Sequence, residues 1–133
     1  MKNSPRMLVG VLRSALPLLV AAGATLAQDV MKVSPETHKV LLENDQVRVL
    51  GVRVKPGEKV GLHSHPASVI YYLSDGKIKF TKPDGKTEER KVKAGAALWS
   101  EPSTHVAENV GNAEFREVHI ELKAVAKNHA GAK

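Results

Sequence analysis

Two histidines stand one residue apart in the segment Val60-Gly61-Leu62-His63-Ser64-His65. On a β-strand, alternate side chains point to the same face, so such a pair sets two imidazoles side by side. Val60, Leu62, Val69 and Ile70 flank them, which places the pair in a half-buried setting. Two buried neutral imidazoles without partners are costly, and one shared metal ion satisfies both. The other reading of the same residues is two exposed or hydrogen-bonded histidines on a strand edge. The chain has no cysteine. Disulfides, thiolate metal sites and a cysteine nucleophile are therefore excluded, and any metal ligand is a histidine, a carboxylate or a backbone oxygen.

The elements that must carry this pair read as strands. From Lys39 onward the apolar pattern has period two, as in Gln46 to Val54, which is rich in β-branched residues. Pro56-Gly57 marks a turn, and Val69 to Leu73 is a short apolar strand. Asp75-Gly76 signals a hairpin, Lys77 to Thr81 alternates again, and Pro83-Asp84-Gly85-Lys86 is a second tight turn before Thr87 to Val92. Ala97 to Trp99, Thr104 to Val110 and Phe115 to Leu122 complete about eight strands with no helix between them. That spacing predicts a β-sandwich or barrel.

One domain is all that 133 residues hold, and 42% apolar content is enough for a core built from Val, Leu, Ile and Ala. The formal charge is +6. Half of that excess comes from Lys2, Arg6 and Arg13 in the first 27 residues, and the rest is spread along the chain. No nucleic-acid partner is expected from so diffuse a charge. Residues 1–27 have the layout of a secretory signal: a basic start, the apolar run Ala15 to Ala24 interrupted by Pro17, then Thr25-Leu26-Ala27. The run is too short to span a membrane. Cleavage after Ala27, or else after Ala24, with export to a bacterial periplasm and no stable membrane insertion, is the expectation. Residues 28–38 then form an N-terminal extension, 39–122 the domain, and 123–133 a flexible, Ala- and Lys-rich tail.

The spacing of further residues resembles the two-part signature of the cupin superfamily. Gly57, five residues, His63, one residue, His65, three residues, Val69, six residues and Gly76 follow the first motif; Gly95, Pro102, His105, three residues and Asn109 follow the second. The resemblance covers about residues 40–122. It implies an all-β fold, the cupin double-stranded β-helix or jelly-roll barrel. It also implies a mononuclear divalent metal held by His63, His65 and His105. Val69 stands where the family has a ligating glutamate, with Ile70 beside it, and neither side chain can bind a metal. The second motif is also one residue shorter than usual and lacks the glycine after its proline. Three neutral imidazoles leave the ion its full charge, which favours a small anionic, chelating ligand. Fe, Ni, Zn, Mn and Cu all suit such a site. Cupins of similar pattern include three-histidine iron dioxygenases.

Other residues are candidates around that site. Tyr71 shares sequence parity with His63, His65 and Val69, so it is expected to face the cavity as a catalytic hydrogen-bond donor, or else to be a core aromatic. Trp99 is expected to pack the barrel. Glu101, at a turn, is a possible substitute for the lost carboxylate, whereas Glu108 is offset by an odd number from His105 and should face the other way. His119 alternates against Val118, Ile120 and Leu122; if those three face the core, His119 faces out, onto a subunit interface. His38 and His129 are expected at the surface. Arg48 and Arg53 are of undetermined direction. A homodimer is expected from exposed sheet edges. Three functions remain open: a metal oxygenase acting on a small anion, a non-catalytic small-ligand or metal-binding module, and a degenerate, metal-free cupin.

Overall fold

The computed structural model describes residues 27–124. The leader expected over 1–27, apart from Ala27, and the tail from 125 onward, with His129, lie outside the described residues. Ten strands and one short helical turn follow in order: β1 (Gln28–Asp29), α1 (Val30–Val33), β2 (His38–Glu43), β3 (Val47–Val54), β4 (Lys59–His65), β5 (Ser68–Tyr72), β6 (Gly76–Thr81), β7 (Thr87–Val92), β8 (Ala97–Ser100), β9 (Ser103–Asn109) and β10 (Phe115–Leu122). They form two five-stranded sheets, one ordered β1-β4-β9-β6-β7 and the other β2-β3-β10-β5-β8. The chain changes sheet at nearly every connection, which is the jelly-roll pattern.

Only some of the turn signals make hairpins. Pro83 to Lys86 does, joining β6 to β7 antiparallel with Gly85 at φ 84°, a left-handed conformation that favours glycine. Asp75-Gly76 does not. It carries the chain from β5 to β6, which lie in different sheets, and the Asp75 carboxylate instead accepts hydrogen bonds from Lys93 Nζ and Ala94 N. A hairpin dipeptide and a sheet-crossing turn need the same tight reversal, so composition does not separate them.

The inner faces of the two sheets enclose Leu50, Val52 and Val54 of β3 with Val60, Ile70, Tyr72, Ile78, Val92 and Phe115. Leu50 is fully buried; truncation of such a side chain to Ala costs about 2–5 kcal/mol. Val30 of the N-terminal extension is also fully buried in this core. The extension is thus part of the fold: Gln28 and Asp29 pair in parallel with His63 and Ser64. Asp29 caps the following turn by accepting from Met31 N at 2.8 Å.

The direction of β10 is opposite to the expectation. Phe115, Glu117, His119 and Glu121 face inward, while Val118, Ile120 and Leu122 face outward. The inner side of β10 meets polar partners, so its apolar parity is left for the outer face.

Candidate functional site

His63 and His65 owe their common direction to β4, and their depth to an irregularity within it. Pairing of β4 with β9 shifts register between Val60 and His63, so that Val60, His63 and His65 all point inward although Val60 and His63 are an odd number apart. A bulge re-aims side chains in this way. Gly61 sits at the bulge under α1, where a Cβ would come 2.9 Å from Val33 Cγ1. His105 lies directly across from His63 on β9. One imidazole nitrogen from each of His63, His65 and His105 lies within 4.8 Å of the other two. The ring centroids are 4.8 Å apart for His63–His65, 4.7 Å for His63–His105 and 5.8 Å for His65–His105.

The protonation of two of these rings follows from their partners. His63 Nδ1 is 2.6 Å from the Gly61 carbonyl oxygen, which only accepts, so Nδ1 carries the hydrogen and Nε2 keeps its lone pair. His65 Nδ1 donates in the same way to Glu121 Oε1 at 2.6 Å. Burial pushes His63 down to about 4 and His105 to about 3, with neighbouring histidines adding to the effect. Burial also lowers His65, against the opposing pull of Glu121. Burial acts against the Glu121 carboxylate too, but hydrogen bonds from His65 and Arg48 outweigh it and hold the group at about 2. Glu121 Oε2 accepts from Arg48 Nε at 2.6 Å, and the same guanidinium pairs with Asp29 Oδ2 at 2.7 Å. A continuous polar chain therefore runs from His65 through Glu121 and Arg48 to the N-terminal strand. Outer partners of this kind fix the tautomer and orientation of a ligating imidazole.

Two more histidines, unlike the sequence expectation, belong to this cluster. His38 is buried, with ring centroids 6.2 and 6.4 Å from His63 and His65, and its Nδ1 is 2.7 Å from Thr37 Oγ1. Burial drives it down to about 3. His119 is stacked on His65 at 4.1 Å rather than turned out to an interface. Its Nδ1 is 3.4 Å from Glu117 Oε1, and its Nε2 is buried with no hydrogen-bond partner. The sequence signal for His119 was weak but present: Glu117, His119 and Glu121 share one parity of β10, as a polar interior requires.

The remaining candidates fall elsewhere. Tyr71, expected to face the cavity, is 43% exposed on the outer face; Tyr72 lines the interior instead. Val69 also points outward, opposite Trp99 and Ile120, and Ile70 lines the cavity. The reason is that parity holds only within a strand. Pro66 and Ala67 separate β4 from β5, which lie in different sheets, so counting from His65 to Val69 and Tyr71 carries no direction. Trp99 is exposed and donates from Nε1 to Glu101 Oε1 at 2.6 Å, which holds both outside the barrel. Glu108 pairs with Lys79 at 3.0 Å and Lys59 at 3.8 Å, away from the histidines. Arg53 pairs with the Glu114 carboxylate at the surface. Asn109 is buried and structural, donating to the Val54 and Ala113 carbonyls.

The donor set fits a divalent ion. Two buried imidazoles and the partly buried His105 converge, and the two buried ones are fixed with Nε2 bare. Nitrogens about 2.1 Å from one ion lie roughly 3–4 Å apart, so only a small contraction from the observed spacing is needed. His63, His65 and His105 border a cavity of about 170 Å³, walled by Val52, Val54, Val60, Ile70, Ile78 and Phe80.

Comparison with known proteins agrees with this architecture. The model of the cupin domain matches residues 51–121. Among curated proteins nothing matches. A cupin domain from Bordetella pertussis Tohama I is 28% identical, with a TM-score of 0.61, covering 65% of this chain and 92% of that one. A double-stranded β-helix protein from Klebsiella pneumoniae is 21% identical, with a TM-score of 0.52 over 76% of this chain and 99% of the other. An RmlC-like cupin from Methanocaldococcus jannaschii is 12% identical, with a TM-score of 0.53 over 65% and 78%.

Proposed function

The chain belongs to the cupin family, and from that premise we propose that it is an exported metal cupin that holds one divalent ion on His63, His65 and His105 and acts as an oxygenase on a small chelating anion. The observation that carries the reading is the convergence of three imidazoles on one cavity, those of His63 and His65 buried with Nδ1 hydrogen-bonded and Nε2 free, and that of His105 partly buried. A bound ion would supply a Lewis-acid or redox centre.

The chain's own residues do the rest. Gly61 and Glu121 orient His63 and His65, and burial keeps the imidazoles neutral and available as donors. Apolar walls limit water around the ligand. No carboxylate stands among these three, because Ile70 occupies the inward position on β5 and Glu121 is turned to His65 and Arg48. A neutral ligand set leaves the ion's charge for an anionic substrate. Among the described residues no helix is long and apolar enough to cross a membrane, and the leader-like layout of the first 27 residues supports export.

The outer face of the second sheet exposes Tyr71 and Trp99 beside Val69 and Ile120. A homodimer formed across that face would cover them.

Metal analysis of untagged protein tests the core of the reading: about one equivalent per chain supports it, and a metal-free protein that also fails to take up added Fe(II), Ni(II), Zn(II), Mn(II) or Cu(II) overturns it. Oxygen uptake after Fe(II) loading, with a chelating carboxylate or thiol present, separates an oxygenase from a binding module.

A further inference from the structure

Among the described residues, Arg90 is the one arginine that borders the histidine cavity. It lies on β7 with the same parity as the buried Val92, and it pairs across to the buried Ile78. Its guanidinium sits over the Phe80 ring at 5.1 Å, and Phe80 in turn packs edge-on against His105 at 5.0 Å. Those two steps set an upper limit of about 10 Å between the guanidinium carbon and the centre of the His105 ring. Between them the wall is apolar, formed by Phe80 and Ile78.

The charged side chains that border the cavity with Arg90 are Glu88, Glu108, Glu117 and Lys82, and of these only Glu88 takes a donor of its guanidinium. Glu88 takes one of its donors at 2.9 Å, but Glu88 is two residues away on the same strand and half exposed. An exposed pair of that kind is worth about 1 kcal/mol or less. Tyr72 borders the same cavity, and its hydroxyl is a donor able to join the guanidinium on an anion. Lys82 borders the same cavity and adds positive charge. Glu117 is engaged by His119. A guanidinium presents five donors in a planar fork suited to a carboxylate.

We propose that Arg90, with Tyr72, is an anion-binding point facing the three histidines, so that the cavity selects a small molecule with a metal-binding head, a short apolar middle and a terminal carboxylate. The inference rests on the metal reading above and adds the second point of recognition. Arg90 determines specificity; it is not asked to take part in bond making.

The test uses the full chain loaded with Co(II), whose visible spectrum reports metal uptake independently of any ligand. Adipate and hexanoate, which differ by one terminal carboxylate, are titrated calorimetrically. Adipate is expected to bind the parent roughly tenfold more tightly than hexanoate. In Arg90→Gln that advantage falls to within about twofold, while Co(II) uptake and hexanoate affinity stay as in the parent. Glu88→Gln, which removes the competing carboxylate, tightens adipate, and Arg53→Gln on the outer face changes neither ligand. Equal affinities in the parent, or an adipate advantage that survives in Arg90→Gln, overturn the assignment. Absence of Co(II) uptake by the parent is a separate failure: it removes the metal reading and the two-point ligand with it.

Discussion

Replacing Glu121 with Gln probes the link between the fold and the histidine cluster. The Glu121 side chain is almost fully buried and accepts from His65 at 2.6 Å and from Arg48 at 2.6 Å. Its carboxyl group is held at about 2 against an ordinary 4.5. That difference corresponds to about 3 kcal/mol in favour of the charged form in the folded state. Because the folded value is depressed, the stabilisation is present above the unfolded value and is lost only as pH falls toward 2. Gln keeps the shape and one acceptor but loses the charge, leaving Arg48 with Asp29 alone. Glu121→Gln is therefore expected to lower stability by about 2–3 kcal/mol in urea unfolding of the metal-free protein, with the same gap from pH 6 to pH 8. The same change releases His65 from its charged partner, so metal affinity is expected to fall about 10- to 100-fold. A loss below about 0.5 kcal/mol with unchanged metal affinity would refute the argument that this buried carboxylate organises the site.

Acid should unfold the metal-free protein early: His38, His63 and His105 stay neutral down to about 3, 4 and 3, whereas in the unfolded chain they charge near 6.5. Stability then falls as pH drops below 6.5, by up to roughly 4 kcal/mol per pH unit while all three differ, and a flat urea midpoint between pH 7 and pH 5 would contradict this. His105→Ala is expected to lose most bound metal in a titration, since only His63 and His65 of the three remain; parent-like binding would mean the ion sits elsewhere. Val69→Glu should leave metal affinity unchanged because that side chain points outward, whereas Ile70→Glu, opposite His119 on β10, should alter it; the reverse result would place β5 in the wrong register. Trp99→Glu on the outer sheet face should yield a monomer by light scattering if that face pairs two chains, and a parent that is already monomeric removes the dimer.

The residues alone determined the class of fold and the pair His63-x-His65, because period two is a local property and both histidines lie on one strand. The strands over Val47–Val54, Gly76–Thr81 and Phe115–Leu122 were visible as alternation for the same reason, and Thr87–Val92 as the return from the turn at Pro83 to Lys86. Resemblance to cupin motifs added His105, which no local pattern links to β4. What alternation cannot give is which of two parities faces inward. On β10 the apolar set Val118, Ile120 and Leu122 looked like the core face. The barrel instead turns Glu117, His119 and Glu121 inward, where His65 and Arg48 satisfy Glu121. Nor does parity survive a change of sheet, so Tyr71 and Val69 were misdirected from the count that placed His65 correctly. His38 is the plainest case. Nothing in its neighbourhood distinguishes it from a surface histidine, and only the packing of β2 against β3 turns it toward His63 and His65. The tertiary structure decided these directions because the energy of burying a polar side chain depends on the partner it meets, and those partners lie on strands distant in sequence.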